Sequence, residues 1–436
     1  MHQLELNKHL NNQTADVLFL AERPMWPLDQ GFRVHGCNML KSLHQLGISA
    51  KVASAEPTTD APDWLNDLII DWPNATPHDI QLFHEGWSGP LSKLRHKAAS
   101  HQGIDIHRLA GAISLIKRCK PKTVIAVGLH GPVLLKGLQQ AFPRVKMIWY
   151  AADEPITFHL SCLKQEPIKD WPPRFWNILT FAAIERLFAR GLDGAIGVSP
   201  LDSKRLKRIA AVKSIHTIRN GVDLEYFSPK SNLPDDHSVV FWGRMDFEPN
   251  IDAVTWFAKN AWPQLVKRSP NAVFNIVGKN PTPAIQALTQ IPGINVLGAV
   301  PDIRTHAQNA TVAILPMRCG AGIKNKLLES AAMGIPTIAS PKAIHGLDIS
   351  CLEKPFHIAH NPDLWADHVW HLWHDTTYRQ QLSQRSRQWV TAKHNWQDAA
   401  RELIRYINTM FPLDQRLLTS SPDQITQHNK RSNKAA

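Results

Sequence analysis

Short apolar runs alternate along the chain with stretches whose apolar positions recur every three or four residues. VLFLAE (17–22) reads as a first strand, and the loop RPMWPLDQG follows it. FRVHGCNMLKSLHQLG then places Phe32, Met39, Leu40, Leu43 and Leu46 mostly three or four apart, as on one helix face. Gly47 stands where a helix would stop, and ISAKVAS is the next strand. Residues 57–105, rich in Pro, Asp, His and Trp, lack a period and read as an irregular insertion. TVIAVG (123–128), KMIWYAA (146–152) and GAIGVSP (194–200) are further strands, and the stretch from Ser161 to Pro173 reads as a loop. FWNILTFAAIERLFARGLD and LDSKRLKRIA read as helices.

A second series opens near HTIRNGVDLEYFSP (216–229). SVVFWGR (238–244), AVFNIVGK (272–279), INVLGAV (294–300), TVAILP (311–316) and IPTIAS (335–340) read as buried strands. Between them the pattern predicts helices over Asp252–Val266, Pro283–Gln290, Pro301–Gln308 and Gly322–Met333. Strand–helix alternation predicts parallel sheets covered on both faces. Two series predict two doubly wound α/β domains facing a central cleft, with ligands at the carboxyl ends of the strands. The expected division is residues 1–212, then 213–395, a crossover helix over 396–412 and a polar tail over 413–436.

Composition narrows the function. The chain has 436 residues and no run of ~18 apolar residues that would span a membrane. Its N-terminus lacks a signal pattern, so a cytoplasmic protein is expected. The five cysteines are scattered without a CxxC, which fits reduced thiols and neither a disulfide frame nor a zinc site. Cys319 is expected to be a plain small residue. The formal net charge of +12 suits anionic substrates or an anionic membrane surface, and motifs of nucleic-acid binding are missing.

The stretch CGAGIKNKLLESAAMGIP (319–336) is the main candidate for chemistry. A loop of small residues leads into the expected helix, on which Gly322, Asn325, Lys326 and Glu329 would share a face. Ile323, Leu327 and Ala331 would face the sheet. A helix N-terminus holds phosphate, and a carboxylate accepts vicinal hydroxyls. A nucleotide fits that pair, and a Lys326–Glu329 surface pair is the alternative. In FWGRMDFEPN (241–250), Gly243 and Arg244 stand at a strand end, where the arginine can clamp a diphosphate or pair with Asp246 or Glu248.

Taken in order, IRNGVDLEYFSP, FWGRMDFEPN, FNIVGKNP, VLGAVPDI, AILPMRCGAGIKNKLLESAAMGIPTIAS and HGL resemble the GT-B glycosyltransferases of glycosyltransferase family 4. The resemblance covers about the C-terminal half. In the N-terminal half, Gly31 matches the family's glycine-rich first loop, and GLDGAIGVSPLDSKRL resembles the strand before its interdomain crossover. HNWQDAARELIRYI resembles its returning final helix.

The resemblance implies a nucleotide-sugar donor bound by Gly31, Gly243, Arg244, Gly320, Ala321, Gly322, Ile323, Lys324, Lys326 and Glu329. Glu329 would take the ribose hydroxyls, and Arg244 and Lys326 would take the diphosphate. Asn220 and Gly221 match the NGVD turn, which would shape the interdomain connection. The implied reaction is retaining and needs neither metal nor cofactor, with a glycan or lipid-linked cell-envelope acceptor. On the acceptor side the candidates are His130 in GLHGP and Asp153 or Glu154 in AADEP. His345 is a further candidate near the base.

Two positions depart from the family pattern. Ala321 replaces the first glutamate of E-x7-E, and the lysine usual after the Gly-Arg pair is missing. Whether Lys324 replaces it stays open. The departures motivate an alternative, a nucleotide-sugar-binding subunit that supports a partner transferase. A sugar-nucleotide epimerase is disfavoured by the NGVD and Gly-Arg pattern, and a dehydrogenase by the lack of GxGxxG after the first strand. The basic charge and 15 tryptophans suit work at the inner face of a membrane.

Overall fold

The computed structural model describes residues 14–28, 30–152, 155–163, 165–230, 234–350 and 354–410. They fall into two compact units, Met1–Glu154 with Ile178–Arg219 and Trp396–Ala436, and Pro155–Asn177 with Asn220–Asn395.

The first unit is built on six parallel strands: β1 (Val17–Ala21), β2 (Ala50–Ser54), β3 (Thr123–Val127), β4 (Lys146–Ala151), β5 (Gly194–Gly197) and β6 (Ile215–Thr217). Their order is β2-β1-β3-β4-β5-β6. Val17 lies beside Thr123 and Ala21 beside Val127, so β1 and β3 end level. The apolar runs are buried on both sides, as a helix-covered parallel sheet requires. The C-terminal helix Trp396–Met410 belongs to this unit. Its buried stripe of Ala400, Leu403, Ile404 and Ile407 packs with Met39, Leu40 and Leu43 of the helix Gly31–Gln45.

Several expectations change here. About half of residues 57–105 is helical, in Asp63–Asn66, Pro77–Gly86 and Ser92–His101. Thr76 and Asp79 form a reciprocal cap at the start of Pro77–Gly86, with proline in the first turn. Phe83 and Trp87 are buried in the core. The break between units falls after Arg219, beyond the expected 212, because Ile215–Thr217 pairs with β5. The stretch 161–173 is only partly loop: the helix Pro155–Leu163 runs into it, a short 3-10 turn covers Ile168–Asp170, and another helix starts at Trp171. Gly31 opens a helix and is not part of a loop. The tail 413–436 lies outside the described residues.

The second unit has β7 (Ser238–Trp242), β8 (Val273–Val277), β9 (Ile294–Gly298), β10 (Val312–Leu315), β11 (Thr337–Ala339) and β12 (His357–Ile358). They are parallel, in the order β12-β11-β10-β7-β8-β9. The helix expected over Asp252–Val266 is two helices, Glu248–Asn260 and Trp262–Arg268, the second opened by Pro263. Phe257, Trp262, Phe274 and Trp365 pack edge-on and tilted in the core.

Both orders reverse at one place. In the first sheet the chain runs from β1 to β2 on one side and from β3 to β4 on the other. In the second it runs from β7 to β8 on one side and from β10 to β11 on the other. The crevices beyond β1/β3 and β7/β10 are therefore where an open α/β sheet binds ligands.

Candidate functional site

Beyond β7, Gly243 and Gly278 meet back to back. A Cβ on Gly278 would lie 1.7 Å from the Gly243 carbonyl oxygen, and one on Gly243 would lie 2.5 Å from Lys326 Cε. Both have positive φ, 143° at Gly243 and 152° at Gly278. The lysine stem thus lies directly on the strand end. Lys326 Nζ is 3.3 Å from Asn250 Oδ1 and 5.7 Å from the centre of the Phe241 ring.

Beyond β10 the chain forms a loop up to Lys324, and the helix is Asn325–Ala332. It starts three residues later than expected because Gly322 has φ 66°, outside right-handed helical space. Gly322 therefore does not share the helical face of Asn325, Lys326 and Glu329. Lys324 flanks the helix and donates Nζ to the Ala321 and Gly322 carbonyls at 2.5 and 3.0 Å, so its ammonium closes the loop. Ile323 is buried in the core, which leaves its backbone to the loop.

Glu329 comes one turn along from Lys326. The Trp242 indole N–H donates to its Oε2 at 2.7 Å. Burial pushes the Glu329 carboxyl above its usual range, against that hydrogen bond and the Lys326 charge. Burial likewise pushes the Lys326 ammonium down, opposed by Glu329. Asn220 Nδ2 donates to Asn325 Oδ1 at 3.0 Å, which ties the NGVD turn to the first residue of this helix.

Of the two carboxylates that offered Arg244 an ion pair, it takes Asp246. Its Nε and Nη2 donate to the two carboxylate oxygens at 2.9 and 3.3 Å. That hydrogen bonding holds the Asp246 carboxyl below its usual range. Glu248 pairs instead with Arg174, which also holds Glu166. His345 is exposed in the loop after β11.

The first unit has its own polar pair at the β1/β3 crevice. His130 Nδ1 lies 2.5 Å from Glu22 Oε2. The His130 hydrogen bond holds the Glu22 carboxyl down, against the opposing effect of burial, and the charges of His130, Arg23 and Arg108 add to it. Glu22 carried no role in the sequence reading, although it directly follows β1. Asp153 and Glu154 lie outside the described residues. Among the described residues no cluster of three His, Cys, Asp or Glu side chains is arranged to hold a metal.

Residues 236–375 match the family described as "Glycosyl transferases group 1". That segment contains β7 through β12 and every second-unit residue placed above except Asn220, Glu166 and Arg174. No curated protein matches the sequence. Three solved structures are similar over nearly the whole chain. Anabaena Alr3699/HepE in complex with UDP and glucose is 10% identical, with a TM-score of 0.63 over 91% of this chain and 100% of that one. Sucrose-phosphate synthase from Thermosynechococcus elongatus is 15% identical, with a TM-score of 0.64 over 91% and 99%. WaaG, a glycosyltransferase involved in lipopolysaccharide biosynthesis, is 11% identical, with a TM-score of 0.57 over 88% and 98%. The fold is that of the GT-B glycosyltransferases, with two Rossmann-like domains. No helix among the described residues is long and apolar enough to cross a membrane.

Proposed function

We propose that the chain is a retaining, metal-independent glycosyltransferase. It would move a sugar from a nucleotide diphosphate sugar to a glycan or lipid-linked acceptor of the cell envelope. The observation that carries the reading is the grouping of Glu329, Lys326 and the Cys319–Lys324 loop at the β7/β10 reversal. The group 1 match over 236–375 supports it, as do neighbours whose descriptions name UDP and lipopolysaccharide biosynthesis.

In this reading Glu329 receives the ribose hydroxyls, with Trp242 fixing the orientation of its carboxylate. Lys326, Arg244 and the start of the helix Asn325–Ala332 meet the diphosphate. The leaving diphosphate gains negative charge as the glycosidic bond breaks. Fixed cations and backbone N–H groups stabilise that charge without rearranging. Arg244 must exchange Asp246 for the phosphates to take part. A donor phosphate oxygen takes the acceptor proton, so no strong protein base is needed. His130, oriented by Glu22, and Asp153 are the acceptor-side candidates. The work is assigned to the cytoplasm, at the inner face of the membrane.

The Arg244–Asp246 pair and Ala321 favour one second reading, a nucleotide-sugar-binding subunit with little turnover of its own. One experiment separates the two. The purified protein is incubated with a panel of nucleotide sugars, with and without lipid-linked and oligosaccharide acceptors, and nucleotide release is followed. Release that rises with acceptor, giving a product of unchanged anomeric configuration by NMR, supports the retaining transferase. Tight binding without release under every acceptor points to the subunit.

A further inference from the structure

The helix Pro155–Leu163 meets the loop that follows β10. The Gly320 N–H donates to Ser161 Oγ at 2.8 Å. One residue along on each segment, the thiols of Cys162 and Cys319 face the same cavity. Both side chains are buried, yet both line one cavity of about 230 Å³ together with Gln165, Glu166, Glu248 and Asp252. One water needs ~10–15 Å³ on that measure, so a small peroxide has room.

The two thiols are not equivalent. The neighbouring Cys319 thiol holds the Cys162 thiol below its ordinary range, against burial and the Glu248 charge, and Arg174 adds to it. The Cys319 thiol is pushed up by the neighbouring Cys162 and by burial. A nucleophilic thiol with a second thiol beside it to resolve the oxidised sulfur is the arrangement of a redox pair.

We propose that Cys162 and Cys319 are a peroxide-responsive dithiol that locks the helix Pro155–Leu163 to the loop 319–322. The Cys162 sulfur attacks one oxygen of hydrogen peroxide and the O–O bond breaks. The departing hydroxide takes the Cys162 proton and leaves as water, which gives a sulfenic acid. The Cys319 sulfur then attacks that sulfur, the S–O bond breaks, and the hydroxyl leaves with the Cys319 proton as a second water. Two thiols lose two electrons in all, and one peroxide becomes two waters. An added dithiol reverses the step. An S–S bond of ~2.05 Å is shorter than any non-bonded contact between two thiols, so the loop must be drawn in. The consequence for nucleotide binding rests on the proposed function, but disulfide formation does not.

The test uses the full-length protein, treated with hydrogen peroxide and mapped by non-reducing peptide mass spectrometry. A linked Cys162–Cys319 peptide is expected, with slower hydrogen exchange across 319–324, both reversed by dithiothreitol. UDP affinity should fall at least about threefold in the oxidised protein. Cys162→Ser, treated alike, should show neither the cross-link nor the slowed exchange. Two free thiols, or sulfinic acid at Cys162 without a cross-link, would overturn the proposal. So would a cross-link that leaves exchange unaltered, or slowed exchange that persists in Cys162→Ser. Absence of UDP binding in the reduced protein counts against the donor assignment alone, because the mapping and exchange readouts still decide the dithiol.

Discussion

The indole N–H of Trp242 holds Glu329 Oε2 at 2.7 Å, joining the last residue of β7 to the middle of the helix after β10. The bond orients a carboxylate that burial would otherwise push further toward its neutral form. Glu329→Ala should weaken nucleotide-sugar binding by ~1–3 kcal/mol, the cost of leaving polar partners unmet. The proposed ribose role needs the ionised carboxylate, whose pKa lies above the usual 4.5. Affinity should therefore fall as pH drops through a window higher than for an ordinary glutamate. Trp242→Phe removes the hydrogen bond that lowers the pKa and should move that window further up. Calorimetric titration against pH checks both points. A midpoint unmoved by Trp242→Phe would break the link between the indole and the carboxylate.

Arg244 is tied to Asp246 in this structure, so its proposed work on the diphosphate requires it to turn away. The charge it would meet grows in the transition state. Arg244→Ala should lower turnover on the order of 10²-fold while changing substrate affinity far less. Steady-state rates beside direct binding measurements decide this. Weak affinity with normal turnover would mean that the arginine only holds the ground state.

Ten of the twelve strands among the described residues were legible because each is a mostly apolar run bounded by turn residues, whereas Ile215–Thr217 and His357–Ile358 are too short and too polar to stand out. The sheet reversals followed once the order was known. The start of the helix Asn325–Ala332 was misplaced because side-chain periodicity does not report backbone sign, and Gly322 turns left-handed. Residues 57–105 hid their helices because short helices stabilised by caps and burial leave little periodicity. Glu22 and His130, like Cys162 and Cys319, are remote in sequence. Only the sheet order and the docking of Ser161 on Gly320 bring each pair together. The ion pair of Arg244 was legible as one of two choices, and geometry made the choice.

His130 is oriented by Glu22 across the β1/β3 crevice. If it acts on the acceptor side, His130→Ala should lower turnover with little change in nucleotide affinity. Glu22→Ala frees the ring and should lower turnover about tenfold, as loss of an orienting partner does. Glu22→Gln keeps an oxygen acceptor for Nδ1 and should restore most of the rate. Equal losses in both Glu22 variants would show that charge, not orientation, is what Glu22 supplies.

Asp79 gives the first unit an acid-labile point. Its carboxylate is 1% exposed and bonds Lys117 Nζ at 3.0 Å, Ser114 Oγ at 2.9 Å and the Thr76 hydroxyl and N–H at 2.8 and 3.1 Å. Burial acts to raise its pKa, but these hydrogen bonds outweigh it and hold the value at about 2, against 3.8 for the free side chain. A lowered folded pKa means that the unfolded chain binds more protons between those two values. The stabilisation is therefore complete above about pH 3.8 and is lost as pH falls toward 2. The shift corresponds to about 2 kcal/mol. Asp79→Asn keeps the shape but lacks the charge for Lys117, and should cost a similar amount at pH 7. The deficit should shrink as the pH falls, because wild type loses the same interaction. Chemical denaturation between pH 7 and pH 2.5 measures it. A constant difference across that range would show that the carboxylate stabilises the helix Pro77–Gly86 by shape and capping alone.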